Sequence, residues 1–132
     1  MYKQLNVPTN EKVDFVSITS QINRFVRGSN IEEGVLIINI PHTTAAITVN
    51  EDADPSVKRD IINHLNKVIP FKDSYSHGEG NSAAHIKSSL IGCDQTIIIK
   101  DGKLLLGRWQ GIFLCDFDGP RKRKVNLRVI AE

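Results

Sequence analysis

The run from Gly34 to Ile40 constrains the fold more than any other stretch, because Val35, Leu36, Ile37 and Ile38 leave no polar side for water. A β-branched apolar segment of this length, closed by Pro41, is what a central strand covered on both faces requires. After His42-Thr43-Thr44 the pattern changes to alternation. Ala45, Ile47 and Val49 share one face, and Thr44, Ala46, Thr48 and Asn50 the other. A solvated face usually carries Lys or Glu, so a face of hydroxyls and an amide hints at a bound group or another subunit.

The flanking segments supply both strands and helices. From Lys12 to Ser17, Val13 and Phe15 alternate with polar residues, as in a strand with one covered face. Thr19 or Ser20 caps a short helix with Ile18, Ile22, Phe25 and Val26 inward, stopped by Gly28 and ending near Arg27. Asp54-Pro55 opens the longest helix, with Asp54 as N-cap, Val57, Ile61, Leu65 and Val68 as core stripe, and Pro70 as its end. Phe71 to Asn81, rich in Gly, Ser and Asp, reads as a surface loop. Another helix runs from Ser82 to Ile91, capped by Asn81, stopped by Gly92, with Ala83, Ile86 and Leu90 as its apolar face. Strands follow over Gln95 to Lys100, Lys103 to Leu106, Arg108 to Phe117 and Lys124 to Ile130. Such an order favours an α+β fold, mainly antiparallel sheets in a sandwich-like arrangement with packed helices, over a doubly wound parallel sheet. With 132 residues, 40% of them apolar, a single domain over residues 1–132 can bury one core.

Several function classes are disfavoured. A net charge of +2 gives no bulk field toward nucleic acid or membrane. No apolar run approaches the ~20 residues that span a bilayer, and the first residues lack the apolar stretch of a secretory signal, so a cytoplasmic location is expected. Cys93 and Cys115 form no C-x-x-C pair and are expected to be free, buried thiols. Neither a Walker A nor a dinucleotide glycine pattern is present. The basic run Arg121-Lys122-Arg123-Lys124 has no interleaved aromatics and is a poor RNA signature.

The residues able to do chemistry are few. His85 points away from the apolar face of its helix, among Ser82 and Ser89, where a metal or anion would have room; an exposed surface histidine is the plain alternative. His42 follows a central strand and His77 lies in the loop, so imidazoles from a strand end, a loop and a helix can converge on one ion. His64 lies beside the core stripe of the long helix and reads as structural. Glu51, in Asn50-Glu51-Asp52-Ala53-Asp54, reads as a base or a partner to a metal-bound histidine, or as a plain surface charge. Trp109 reads as core, while Gln110 and Asp116 reach toward a site. Arg121 and Arg123 suit phosphate oxygens, or else form a solvated strand edge.

Three stretches resemble one family. Pro41-His42-Thr43-Thr44-Ala45-Ala46-Ile47-Thr48-Val49-Asn50-Glu51-Asp52-Ala53-Asp54-Pro55 is similar to the YjbQ family's His-Thr-Ser/Thr-Ala signature with its trailing Asn-Glu-x-Ala-Asp. Tyr75-Ser76-His77, followed by Ala84-His85-Ile86-Lys87-Ser88, looks like its Tyr-x-His and Ala-His-Ile/Leu-Lys motifs, and Leu106-Gly107-Arg108-Trp109-Gln110-Gly111-Ile112 its Leu-Gly-Thr-Trp-Gln-Gly-Ile. The matches keep family order over almost the whole chain. Arg108 replaces the usual Thr, Asp116 stands where Glu is frequent, and the loop at Gly78-Glu79-Gly80 is shorter than in some relatives.

The resemblance implies an α+β sandwich-like fold, homotrimers, and His42, His77 and His85 on a divalent metal near a subunit boundary, zinc by ligand type with magnesium the option beside pyrophosphate. It further implies the activity of secondary thiamine-phosphate synthases, which join a pyrimidine diphosphate to a thiazole phosphate and release pyrophosphate. Lys87, Arg121 and Arg123 would then hold the phosphorylated metabolite, with Asn50 and Gln110 orienting it and Glu51 accepting a proton or steadying a metal-bound histidine. A metal-dependent phosphoesterase and a non-catalytic trimeric binding module are the competing expectations.

Overall fold

A computed structural model describes residues 1–132, with strands β1 (Tyr2–Pro8), β2 (Asp14–Ser17), β3 (Gly34–Asn39), β4 (Ala45–Glu51), β5 (Asp94–Lys100), β6 (Lys103–Leu104), β7 (Gln110–Asp116) and β8 (Lys122–Ala131). The helices are α1 (Thr19–Ser29), α2 (Pro55–Val68) and α3 (Ser82–Ile91). One antiparallel sheet has the order β1-β8-β3-β5-β6 and a second the order β2-β7-β4. The fold is thus the expected α+β arrangement of antiparallel sheets with packed helices.

Layering follows from which faces are apolar. Leu36 and Ile38 of β3, Ile97 and Ile99 of β5 and Val125, Leu127 and Val129 of β8 meet Ala45 and Ile47 of β4, Ile112 and Leu114 of β7, and Ile22, Phe25 and Val26 of α1 in the main core. The opposite face of the small sheet carries Phe15, Ala46, Phe113 and Cys115, packed against Ala84 of α3 and the half-buried Ile61, Ile62 and Leu65 of α2. The small sheet is therefore the middle layer. Its central strand β7 is buried from Gly111 to Asp116 on both sides.

Several expectations require correction. The strand over Tyr2–Pro8 was not expected; it turns only Leu5 and Val7 inward, too little apolar signal to stand out. The polar-looking face of β4 is covered by the chain's own α3: Ser88 Oγ donates to Ala45 O at 2.7 Å, and the small side chains permit that approach. α3 itself is rotated from the expected orientation, burying Ala83, Ala84, Lys87 and Ser88 while Leu90 is 67% exposed. Trp109 precedes β7 and is 55% exposed under the Arg108 guanidinium, and Cys93 is exposed. Residue Asn30, in a left-handed conformation, ends α1 beyond Gly28. His64 is exposed on α2, so it does not serve the core.

Candidate functional site

Backbone bonds determine where the histidines gather. Ile40 N–H donates to Cys93 O at 2.7 Å and Ile47 N–H donates to Gly92 O at 3.0 Å, stitching the β3–β4 connection to the end of α3. Gly92 makes this junction at φ 98°, a left-handed value favouring glycine. His42 is thereby held beside α3. It lines one cleft with Thr43, Thr44, Arg121 and Arg123, and a second with His85, Ser88, Ser89 and Cys93. His85 in turn lines a third cleft, of about 440 Å³, with Tyr75, Ser76, His77 and Ser82. The rings of His77 and His85 meet edge to face, centroids 5.4 Å apart. Shared walls at His42 and His85 join the three clefts into one surface.

The arginine end of that surface rests on a buried ion pair. Arg123 is 2% exposed; its Nη2 donates to Asp116 Oδ1 at 2.7 Å and to Thr44 Oγ1 at 2.8 Å. Thr9 Oγ1 donates to Asp116 Oδ2 at 2.6 Å, and Asp118 N–H to Asp116 Oδ1 at 2.9 Å. Arg123 Nε is buried without a partner. Arg121, by contrast, is exposed and pairs with Asp118 at 3.2 Å, a contact easily exchanged for another anion. His42 Nε2 accepts the Lys124 N–H at 2.9 Å. Burial first, then the charge of Arg123, push the His42 imidazole below its ordinary pKa; the Asp116 carboxylate opposes this, and Arg121 and Lys124 add to the lowering.

Other expected site residues lie elsewhere. Lys87 is two residues from His85, hence on nearly the opposite side of α3, and is fully buried against Asn66 and Phe71. Asn50, Glu51 and Gln110 sit at the far end of β4 and β7, where Glu51 faces Gln110 across the ladder. That end is about 20 Å along the strand from Ala45. Glu51 Oε2 accepts the Ala53 N–H at 2.8 Å, and Gln110 Oε1 accepts the Gly107 N–H at 2.7 Å, so both tie down local turns. Thr9, Asp118 and Cys93 were not singled out for the site; only the turn residues Asp118-Gly119-Pro120 before the basic run signalled that something is held there.

Two imidazoles bound to one tetrahedral ion through nitrogens at ~2.0–2.1 Å would have ring centroids about 5 Å apart. The His77–His85 pair fits that spacing. His42 accepts at Nε2, so the neutral ring carries its proton on Nδ1 and would have to give up the Lys124 N–H to offer an ion a lone pair. As placed, no three His, Cys, Asp or Glu side chains stand close enough to enclose an ion, and 5.4 Å is equally the spacing of an ordinary edge-to-face ring contact.

Fold and site together define a class: small sandwich-like α+β proteins with an imidazole-lined surface that opens onto an arginine cleft. The sequence profile described as UPF0047 protein YjbQ-like matches residues 3–132, and the chain belongs to that family. It is similar to a UPF0047 protein of Methanocaldococcus jannaschii, 53% identical over 132 residues, 100% of this chain and 96% of that protein. It is also similar to UPF0047 protein YugU of Bacillus subtilis, 42% identical over 131 residues, 98% of this chain and 99% of that protein. Among solved structures, an uncharacterized conserved protein of the YjbQ/UPF0047 family from Clostridium acetobutylicum superposes with a TM-score of 0.95 at 48% identity, covering 97% of this chain and 99% of that one.

Proposed function

We propose that this chain is a transferase of the thiamine-phosphate synthase type, joining a pyrimidine diphosphate to a thiazole phosphate with release of pyrophosphate. The observation that supports it is the sharing of His42 between an arginine cleft and an imidazole cleft, so that an anionic group and a reacting centre can lie side by side. Negative charge grows on the departing pyrophosphate as the C–O bond breaks, and the exposed Arg121, freed from Asp118, is positioned to meet it. Arg123 contributes its field and the placement of Thr44 rather than a free guanidinium fork. A divalent ion held by His77 and His85, with His42 joining them once its Nε2 is released from the Lys124 N–H, zinc by donor type or magnesium beside pyrophosphate, would add positive charge at the same point. His42, neutral and hydrogen-bonded to Lys124, orients the junction between the two clefts. The homotrimer belongs to the same reading: Ile86 and Leu90 are exposed on the helix that carries His85, and Asn50, Glu51 and Gln110, at the far end of β4 and β7 within one chain, would have to come to the site from a neighbouring chain. A phosphorylated metabolite as substrate suits a cytoplasmic enzyme.

The test is product formation by metal-loaded protein given both phosphorylated precursors, followed as thiamine phosphate and pyrophosphate in equal amounts. Replacing Arg121 by Met is expected to lower kcat/KM about 10- to 100-fold, the loss of one charge-assisted phosphate contact. Absence of thiamine phosphate, with release of phosphate from a simple phosphoester, would instead identify a metal-dependent hydrolase. Tight ligand binding without any product would identify a binding module.

A further inference from the structure

Lys87 is fully buried, yet no carboxylate pairs with it; the chain's two ion pairs are Arg121–Asp118 and Arg123–Asp116. Packing alone does not explain an ammonium there, because an apolar side chain of similar volume fills such a place at lower cost. What the ammonium adds is directional. It donates to Asn66 Oδ1 in the last turns of α2 and lies 4.1 Å from the centroid of the Phe71 ring. Lys12 Nζ stands over the same ring at 4.4 Å. Asn66 and Phe71 bracket the end of α2 and the first residue of the 71–81 loop, while Lys87 sits on the helix that carries His85. The grip extends inward along the loop, where Tyr75 Oη donates back to Pro70 O at 2.5 Å, two residues before His77.

We propose that Lys87 is a positioning residue: seated beneath Phe71, it clamps the base of the 71–81 loop to α3 so that His77 faces His85. The assignment rests on reading those two imidazoles as one site. It explains why a lysine in a motif shared with His85 is turned away from the clefts: it acts on the loop that forms one cleft wall.

The test uses the full chain without metal and reads loop opening and ring placement rather than turnover. Trypsin cleavage after the exposed Lys72 reports opening, and the cross-peak between the His77 and His85 ring protons reports placement. Lys87→Met and Phe71→Leu are each expected to speed that cleavage roughly tenfold, the loss of one desolvated cation–ring contact. Both should weaken the cross-peak, the double variant should go no further than either single one, and Phe71→Trp, which keeps a ring, should behave as wild type. Melting temperatures should remain within a few degrees of wild type. Cleavage at the wild-type rate in both single variants, or acceleration only in step with a lowered melting temperature, would overturn the clamp. If wild-type protein makes no thiamine phosphate while the two variants show these loop changes, the transferase reading is removed and the clamp stands.

Discussion

Arg123 shows how far one residue's role depends on what faces it. In the sequence it is the third of four basic residues and equally suited to phosphate or to solvent; in the fold it is sealed against Asp116 with Thr44 and Thr9 completing the network. Removing one member of a buried pair strands the other's charge. Arg123→Met is therefore expected to lower unfolding free energy by about 3–5 kcal/mol in chemical denaturation, and adding Asp116→Asn to recover part of that loss. His42 gives a pH signature. Its folded pKa lies below the ordinary 6.5, so as pH falls through about 6.5 the unfolded chain takes up the proton first. The stability it contributes is intact above that pH and is lost on going down toward the folded pKa. In metal-free protein, His42→Gln should flatten the decline in stability between pH 7.5 and 5.5, and the His42 ring should titrate below 6.5 by NMR.

At the scale of elements, the pairing of α3 with β4 rests on small side chains. Ala46, Ala84 and Ser88 let helix and strand approach closely enough for the Ser88–Ala45 bond. Ala84→Leu should cost about 1–3 kcal/mol through overpacking, measured as a shift in denaturation midpoint. This contact also marks where sequence reading succeeds and fails. Continuous or strictly alternating apolar runs made β3, β4 and β5 legible, and Asp54-Pro55 marked the start of α2, whose Ser56 N–H is accepted by Asp54 Oδ1 at 2.9 Å. α3 was legible as a helix but not in its orientation, because its buried face is built from alanine, serine and a lysine stem while Ile86 and Leu90 face outward. Apolar periodicity locates a core face only when the core wants bulk; here it wants closeness.

At the scale of the whole molecule, the sequence placed His42, His77 and His85 in three separate stretches, and the layered fold brings their clefts together. Their spacing alone carried little of this, since it depends on Ile40 and Ile47 being bonded across the α3–β5 junction. Asn50 and Glu51 looked close to His42 in the motif, yet a strand converts nearness in sequence into distance. The strand order has a further consequence for how the protein comes into being. β8 lies between β1 and β3, and β1 has no other neighbour in its sheet. During synthesis Leu5 and Val7 thus have no strand to lie against until residues beyond Lys122 have left the ribosome, so β1 must wait more than a hundred residues for its partner.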